Sequence, residues 1–153
     1  MKPNLTDLDY FRTKNDIIFL VKGYYYPGDS VIAIPVFWGA PNGERLHVSG
    51  KRYHKDVDDG SNEKLFRLLP HYRNPDIPKA SALVPIDDIV EVFKPRQALQ
   101  RFLIKTQPSI WTSIAFAFHE IAGIPLEDIG IFGSYLIGLA ETQDGGLVKD
   151  VDF

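Results

Sequence analysis

IGIFGSYLIGLAETQDGGLVKDVDF, residues 129 to 153, holds the pattern around which the rest of the chain is best read. An apolar, strand-like run (Ile129, Ile131, Phe132) meets a Gly133-Ser134 pair. A short helical segment, a polar gap and Asp150-Val151-Asp152-Phe153 follow. Side chains alternate along a strand, so Asp150 and Asp152 are expected on one side while Val151 and Phe153 face a core. Two carboxylates so placed suit Mg²⁺, which prefers hard oxygen ligands. A helix starting at Ser134 would offer free backbone N–H groups to an anion, and Gly133 would let a phosphate approach without a Cβ in its path. An ordinary helix N-cap also explains Gly133-Ser134, and the two readings are compatible.

Size and composition narrow the classes. The chain has 153 residues, 44% of them hydrophobic, enough for one domain or a small domain with part of another. With 17 basic and 20 acidic residues the net charge is −3, so no global positive field draws in nucleic acid and any such contact must be local. Cysteine is absent, which excludes disulfides and thiolate metal sites. No run approaches the roughly 20 apolar residues of a membrane span, and the first residues lack a signal-peptide core, so the expected location is cytoplasmic, with no membrane partner.

Upstream, Asp16 to Val21 and Ser30 to Trp38 read as strands, with Pro35 marking an edge or a bulge. Pro41-Asn42-Gly43 reads as a hairpin turn and Arg45 to Tyr53 as the returning strand, weakened by Gly50. A short helix is expected from Glu63 to Leu69, a short strand at Ala82 to Val84 and a helical turn from Pro85 to Val92. Helices follow over Arg96 to Lys105 and Pro108 to Ala122. In the second, Ile110, Ile114, Phe118 and Ile121 recur at helical spacing, predicting a largely buried face ended by Gly123. The expected class is α+β: a small antiparallel β-rich region over 1–85, then helices and a partial palm over 86–153.

Gly133, Ser134, Gly138, Asp150 and Asp152 together resemble the signature of the DNA polymerase β-type nucleotidyltransferase superfamily. The whole chain is similar to archaeal predicted nucleotidyltransferases with a β-rich region ahead of that signature. The resemblance implies the first half of a nucleotidyltransferase palm, an NTP substrate, Mg²⁺ held by Asp150 and Asp152 as catalytic carboxylates, and phosphates held by Gly133 and Ser134. The gap from Gly138 to Asp150 is longer than in the compact motif. The family's third carboxylate has no counterpart after Phe153, so the chain is expected to be truncated and inactive alone. Its final strand, with an unpaired edge, is expected to favour a homo-oligomer.

Other motifs are weaker. His119-Glu120 has Gly123 where a zinc-protease helix needs its second histidine, and His47, His54 and His71 lack ligand spacing. Lys22 with Tyr24 to Tyr26, and Lys51-Arg52-Tyr53-His54-Lys55, mix charge and aromatic rings as a nucleic-acid surface does, although tyrosines in strands more often pack and short basic runs are more often solvated. The alternative function is therefore a noncatalytic nucleic-acid or protein interaction module carrying a degenerate signature.

Overall fold

A computed structural model describes residues 4–23, 27–55, 62–104, 110–139 and 141–142. The chain is α+β, with a curled antiparallel half-barrel sheet carrying helices. Strands β1 (Tyr10–Thr13), β2 (Ile17–Val21) and β3 (Ser30–Gly39) form a meander, and β4 (Arg45–Leu46) and β5 (Arg52–Lys55) a hairpin. Helix α1 (Glu63–Leu68) and a 3₁₀ turn at Pro70–Tyr72 precede β6 (Ala82–Pro85) and β7 (Ile89–Phe93). Helices α2 (Pro95–Ile104), α3 (Ile110–Ala122) and α4 (Gly133–Leu136) and strand β8 (Glu141–Thr142) complete the described elements. The sheet order is β7-β1-β2-β3-β5-β4-β8, with β6 also on β3. The sheet thus draws strands from both sides of Pro85.

Every residue of β2 is buried, because the sheet is covered on both faces. Ile17, Phe19 and Val21 join one core with Phe11, Leu65 and Tyr72, beneath α1 and the 3₁₀ turn. Ile18 and Leu20 join the opposite core with Tyr53, Phe93, Ala98 and Leu136. This split follows from the two-residue side-chain period, which sends odd and even positions to opposite faces.

Pro35 marks a bulge, one of the two readings its position allowed. Ile18 pairs with Phe37 but Phe19 pairs with Pro35, so Val36 is the extra residue. The side-chain phase shifts there: Val31 and Ala33 face the first core, yet Phe37 faces the second and Trp38 the first. The outer edge of β3 changes partner across the same point, pairing with β6 through residues 30–33 and with β5 through residues 37–39. A proline, with no N–H to donate, fits the gap between two partners.

Three sequence expectations need correction. Arg45 to Tyr53 is a tight hairpin instead of one strand: Gly50 adopts φ +82°, its N–H bonds the His47 carbonyl, and the chain reverses into β5. The helical turn expected over Pro85 to Val92 is confined to a 3₁₀ turn at Ile86–Asp88, after which the β-branched run Ile89–Phe93 pairs with β1. Helix α3 buries Ala115 and Thr112 but leaves Phe118 and Ile121 exposed. Its sequence is apolar on nearly all sides, so periodicity alone could not choose the face. Among the described residues, no helix is long and apolar enough to cross a membrane.

Candidate functional site

Helix α4 is a single turn. Gly133, at φ +68°, opens it from an extended Phe132, and Ser134 is half-buried beside buried Tyr135 and Leu136. The turn closes on Gly138, at φ +73°: the Gly138 N–H bonds the Tyr135 carbonyl at 3.3 Å and the Leu139 N–H bonds the Ser134 carbonyl at 2.8 Å. That pair of bonds is a Schellman motif, which needs a left-handed residue after the helix end and so favours glycine. Gly133 and Gly138 therefore each have a conformational role. One helical turn leaves amide groups free at its start but sums few peptide dipoles.

Packing fixes where this turn sits. The segment before it is strapped to α2, with Ile131 N–H on the Pro95 carbonyl at 3.2 Å and Arg96 paired with Asp128 at 3.1 Å. Ile129, Ile131 and Tyr135 share a small core with Leu99 and Ala115. Phe132 makes an isolated bridge and Ile129–Ile131 lie outside the sheet, so the run expected to be a strand is an extended strap. Its anchoring is through α2.

Beside the turn lies a cleft of about 210 Å³, where the β4–β5 hairpin, β7, α2 and α4 meet. His47, Glu91 and Arg101 give it polar groups, and Tyr135 and Gly138 form its wall. His47 Nδ1 lies 3.1 Å from the Ser49 N–H and 2.7 Å from Ser49 Oγ, and Val48 N–H bonds the Gly138 carbonyl. A Cβ at Gly138 would come within 3.1 Å of Val48 and 3.2 Å of His47 Nε2, so the hairpin tip and the α4 turn are in close contact. Burial holds the His47 imidazole below its usual pKa of 6.5; nearby Glu91 opposes this and Arg12 adds to it. His47 is therefore mainly neutral at pH 7.

Glu91 links the cleft to a polar network on the sheet. Arg12 Nε bonds Glu91 at 3.0 Å while its terminal nitrogen bonds Asp16 at 3.2 Å. Asp16 also accepts from the Tyr53 hydroxyl at 2.8 Å and Lys51 at 3.0 Å. Burial raises the Asp16 pKa, but the Tyr53, Lys51 and Arg12 bonds outweigh it and hold the carboxyl below its ordinary value. Burial and the Asp16 carboxylate push the Tyr53 phenol far up, so Tyr53 is a hydrogen-bond donor and not an acid near neutrality. Sequence reasoning did not find the His47, Glu91 and Arg12 grouping. Its members come from three segments that only the sheet brings together, and no local spacing announces it.

The other sequence candidates divide clearly. Asp150 and Asp152, the residues expected to be catalytic and metal-binding, lie outside the described residues, as does the expected final strand. Tyr24 to Tyr26 lie outside them too. In the basic run, Lys51 is paired with Asp16, Arg52 bonds the Gly43 carbonyl, Tyr53 is buried and His54 pairs with Glu44 at 2.6 Å. Those groups serve the fold. His119 Nδ1 bonds the Ile124 carbonyl at 2.8 Å just past the end of α3, as a helix side chain does. Among the described residues no cluster of three or more histidine or acidic side chains could hold a metal. No protein-family model, curated protein or solved structure matches the chain.

Proposed function

We propose that the chain serves Mg²⁺-dependent nucleotidyl transfer from an NTP to an acceptor oxygen. The reading rests on the Gly133-Ser134 corner followed by Asp150-Val151-Asp152. The observation that carries it is the left-handed Gly133 at the head of the α4 turn, which leaves no Cβ in the path of an oxygen approaching the amides there. Asp150 and Asp152 are chemically suited to Mg²⁺, since both are hard oxygen donors. When bound, Mg²⁺ supplies positive charge that offsets the triphosphate and favours pyrophosphate as leaving group.

The roles of the chain's own groups follow from their chemistry. Gly133 admits the triphosphate, and Ser134 offers its N–H and hydroxyl to phosphate oxygens. Asp150 and Asp152 would hold the ion, as two hard oxygen donors one residue apart. The acceptor oxygen then bonds the α-phosphorus, the bond to the bridging oxygen breaks, pyrophosphate departs and the acceptor proton passes to solvent.

Isothermal titration of the chain with ATP and then the other NTPs, with and without Mg²⁺, tests this reading. The expected result is Mg²⁺-dependent binding of an NTP that D150N/D152N abolishes while the folded content stays unchanged. Binding indifferent to Mg²⁺ and to both substitutions, or no binding of any NTP, overturns it and favours the noncatalytic interaction module.

A further inference from the structure

A second cavity, larger than the His47 cleft, lies on the opposite side of the β2 plane from the α4 turn. It has about 590 Å³ and opens between α1 and the loop over residues 73–81. This volume is within the roughly 300–1,000 Å³ typical of small-ligand sites. Arg67, Arg73 and Lys79 line it, against a single acid, Glu63, among the described residues. The chain carries more acidic than basic residues overall, so this excess of positive charge is local.

These three cations differ from the five that the fold pairs with acids. Arg12, Lys14, Lys51, Lys94 and Arg96 each pair with a carboxylate. Among the described residues, Arg67, Arg73 and Lys79 form no ion pair. Like charges around one concavity repel, and an anion in the cavity relieves that repulsion. The walls are also prepared. Phe66 packs on the first core and has the Arg73 guanidinium 6.0 Å from its ring centre. Asn74 Oδ1 accepts the Asp76 N–H at 2.8 Å, and the Ser81 N–H bonds the Pro78 carbonyl at 2.8 Å. Pro75 and Pro78 further restrict the loop, so less ordering cost remains on binding.

We infer that this cleft binds a phosphate-bearing ligand of nucleotide size, with Arg67, Arg73 and Lys79 taking the phosphate oxygens. Guanidinium forks match phosphate geometry and the ammonium adds a point charge. Phe66 and the loop prolines give an apolar surface for a base or sugar. The phosphate can belong to a free nucleotide or to a single-stranded nucleic acid. The inference does not rest on the nucleotidyl-transfer reading, because the charge needed is supplied by side chains and no metal is required.

The test is fluorescence anisotropy of the full chain with a labelled oligothymidylate of about ten nucleotides, a length that single-strand binding domains can cover, at low salt in EDTA. Binding is expected, weakened about tenfold or more by R67Q/K79Q, two exposed substitutions. The slope of log K against log salt should fall by about 1.4 in that variant, from about 0.7 per phosphate contact. R73Q should weaken binding independently, and D150N/D152N should leave it unchanged. Displacement by ADP identifies a free nucleotide as the source; binding of the oligonucleotide without displacement by ADP identifies the polymer. No binding of either ligand, binding that survives R67Q/K79Q and R73Q, or equal displacement by polyglutamate overturns the inference. Binding lost only in D150N/D152N also overturns it while leaving the nucleotidyl-transfer reading intact.

Discussion

Tyr72, Lys14 and His71 converge on the Asp88 carboxylate, which is 4% exposed. The Tyr72 hydroxyl donates at 2.7 Å, Lys14 lies at 2.6 Å and His71 at 3.7 Å. Burial alone would raise the Asp88 pKa, but the bonds from Lys14 and Tyr72 win and hold it below its ordinary 3.8. The folded value thus lies under the unfolded one. Stability from this group is present above about pH 4 and is lost as pH falls through the folded value, and Asp16 acts in the same direction. D88N is expected to cost about 1–3 kcal/mol at pH 7, because a buried donor loses its charged acceptor, and to flatten the acid limb. Urea unfolding from neutral pH into the acid range checks both; an acid limb as steep as that of the parent chain would contradict this account. Legibility at this scale was uneven. Pro35 announced a break in strand geometry because its missing donor is a property of the residue itself. Nothing near Asp88 announced burial, since its partners arrive from the residue after β1 and from the Pro70–Tyr72 turn, and Arg12 meets Glu91 across 79 residues of sequence.

At the scale of elements, β2 is the clearest case of sequence dictating structure. Five successive apolar residues can form a strand only if both its faces are covered, and here they are. Ile18→Ala and Phe19→Ala should therefore both be costly, about 2–5 and 3–5 kcal/mol respectively, although the two side chains point in opposite directions. Chemical denaturation of each variant measures this, and a cheap substitution at either position would mean that one face is open. Helix α3 shows the reverse: its existence and its end at Gly123 were readable, but its orientation was not. The Ile129–Phe132 run shows why a strand-like pattern can mislead. Extended backbone and alternating burial are satisfied equally well by a strap hydrogen-bonded to α2 at Pro95 as by a sheet partner.

For the molecule as a whole, the sheet's connectivity determines how far any part can stand alone. Strand β1 has β2 on one side and β7 on the other, and the second core takes Phe93, Ala98, Leu136 and Ile137 from beyond residue 85. A fragment of residues 1–85 would leave β1 with an unpaired edge and Tyr10, Ile18 and Leu20 without most of their cover. Such a fragment is expected to lack a cooperative thermal transition by circular dichroism, whereas the full chain shows one; a sharp transition in the fragment would establish an independent first unit. The class α+β was legible because strand-like and helical periods are segregated along the chain. The Gly133-Ser134 corner is a local pattern and so can be read from the sequence as a candidate, whereas the cavity under α1 and the His47 cleft are made by chain segments meeting.

The pairing of β1 with β7 also orders events during synthesis. Tyr10 waits for Phe93. A nascent chain carrying β1, β2 and β3 must leave the ribosome with that flank bare until some fifty further residues have emerged. Over that interval the bare strand is where a chaperone, or a neighbouring polysome product, would bind first.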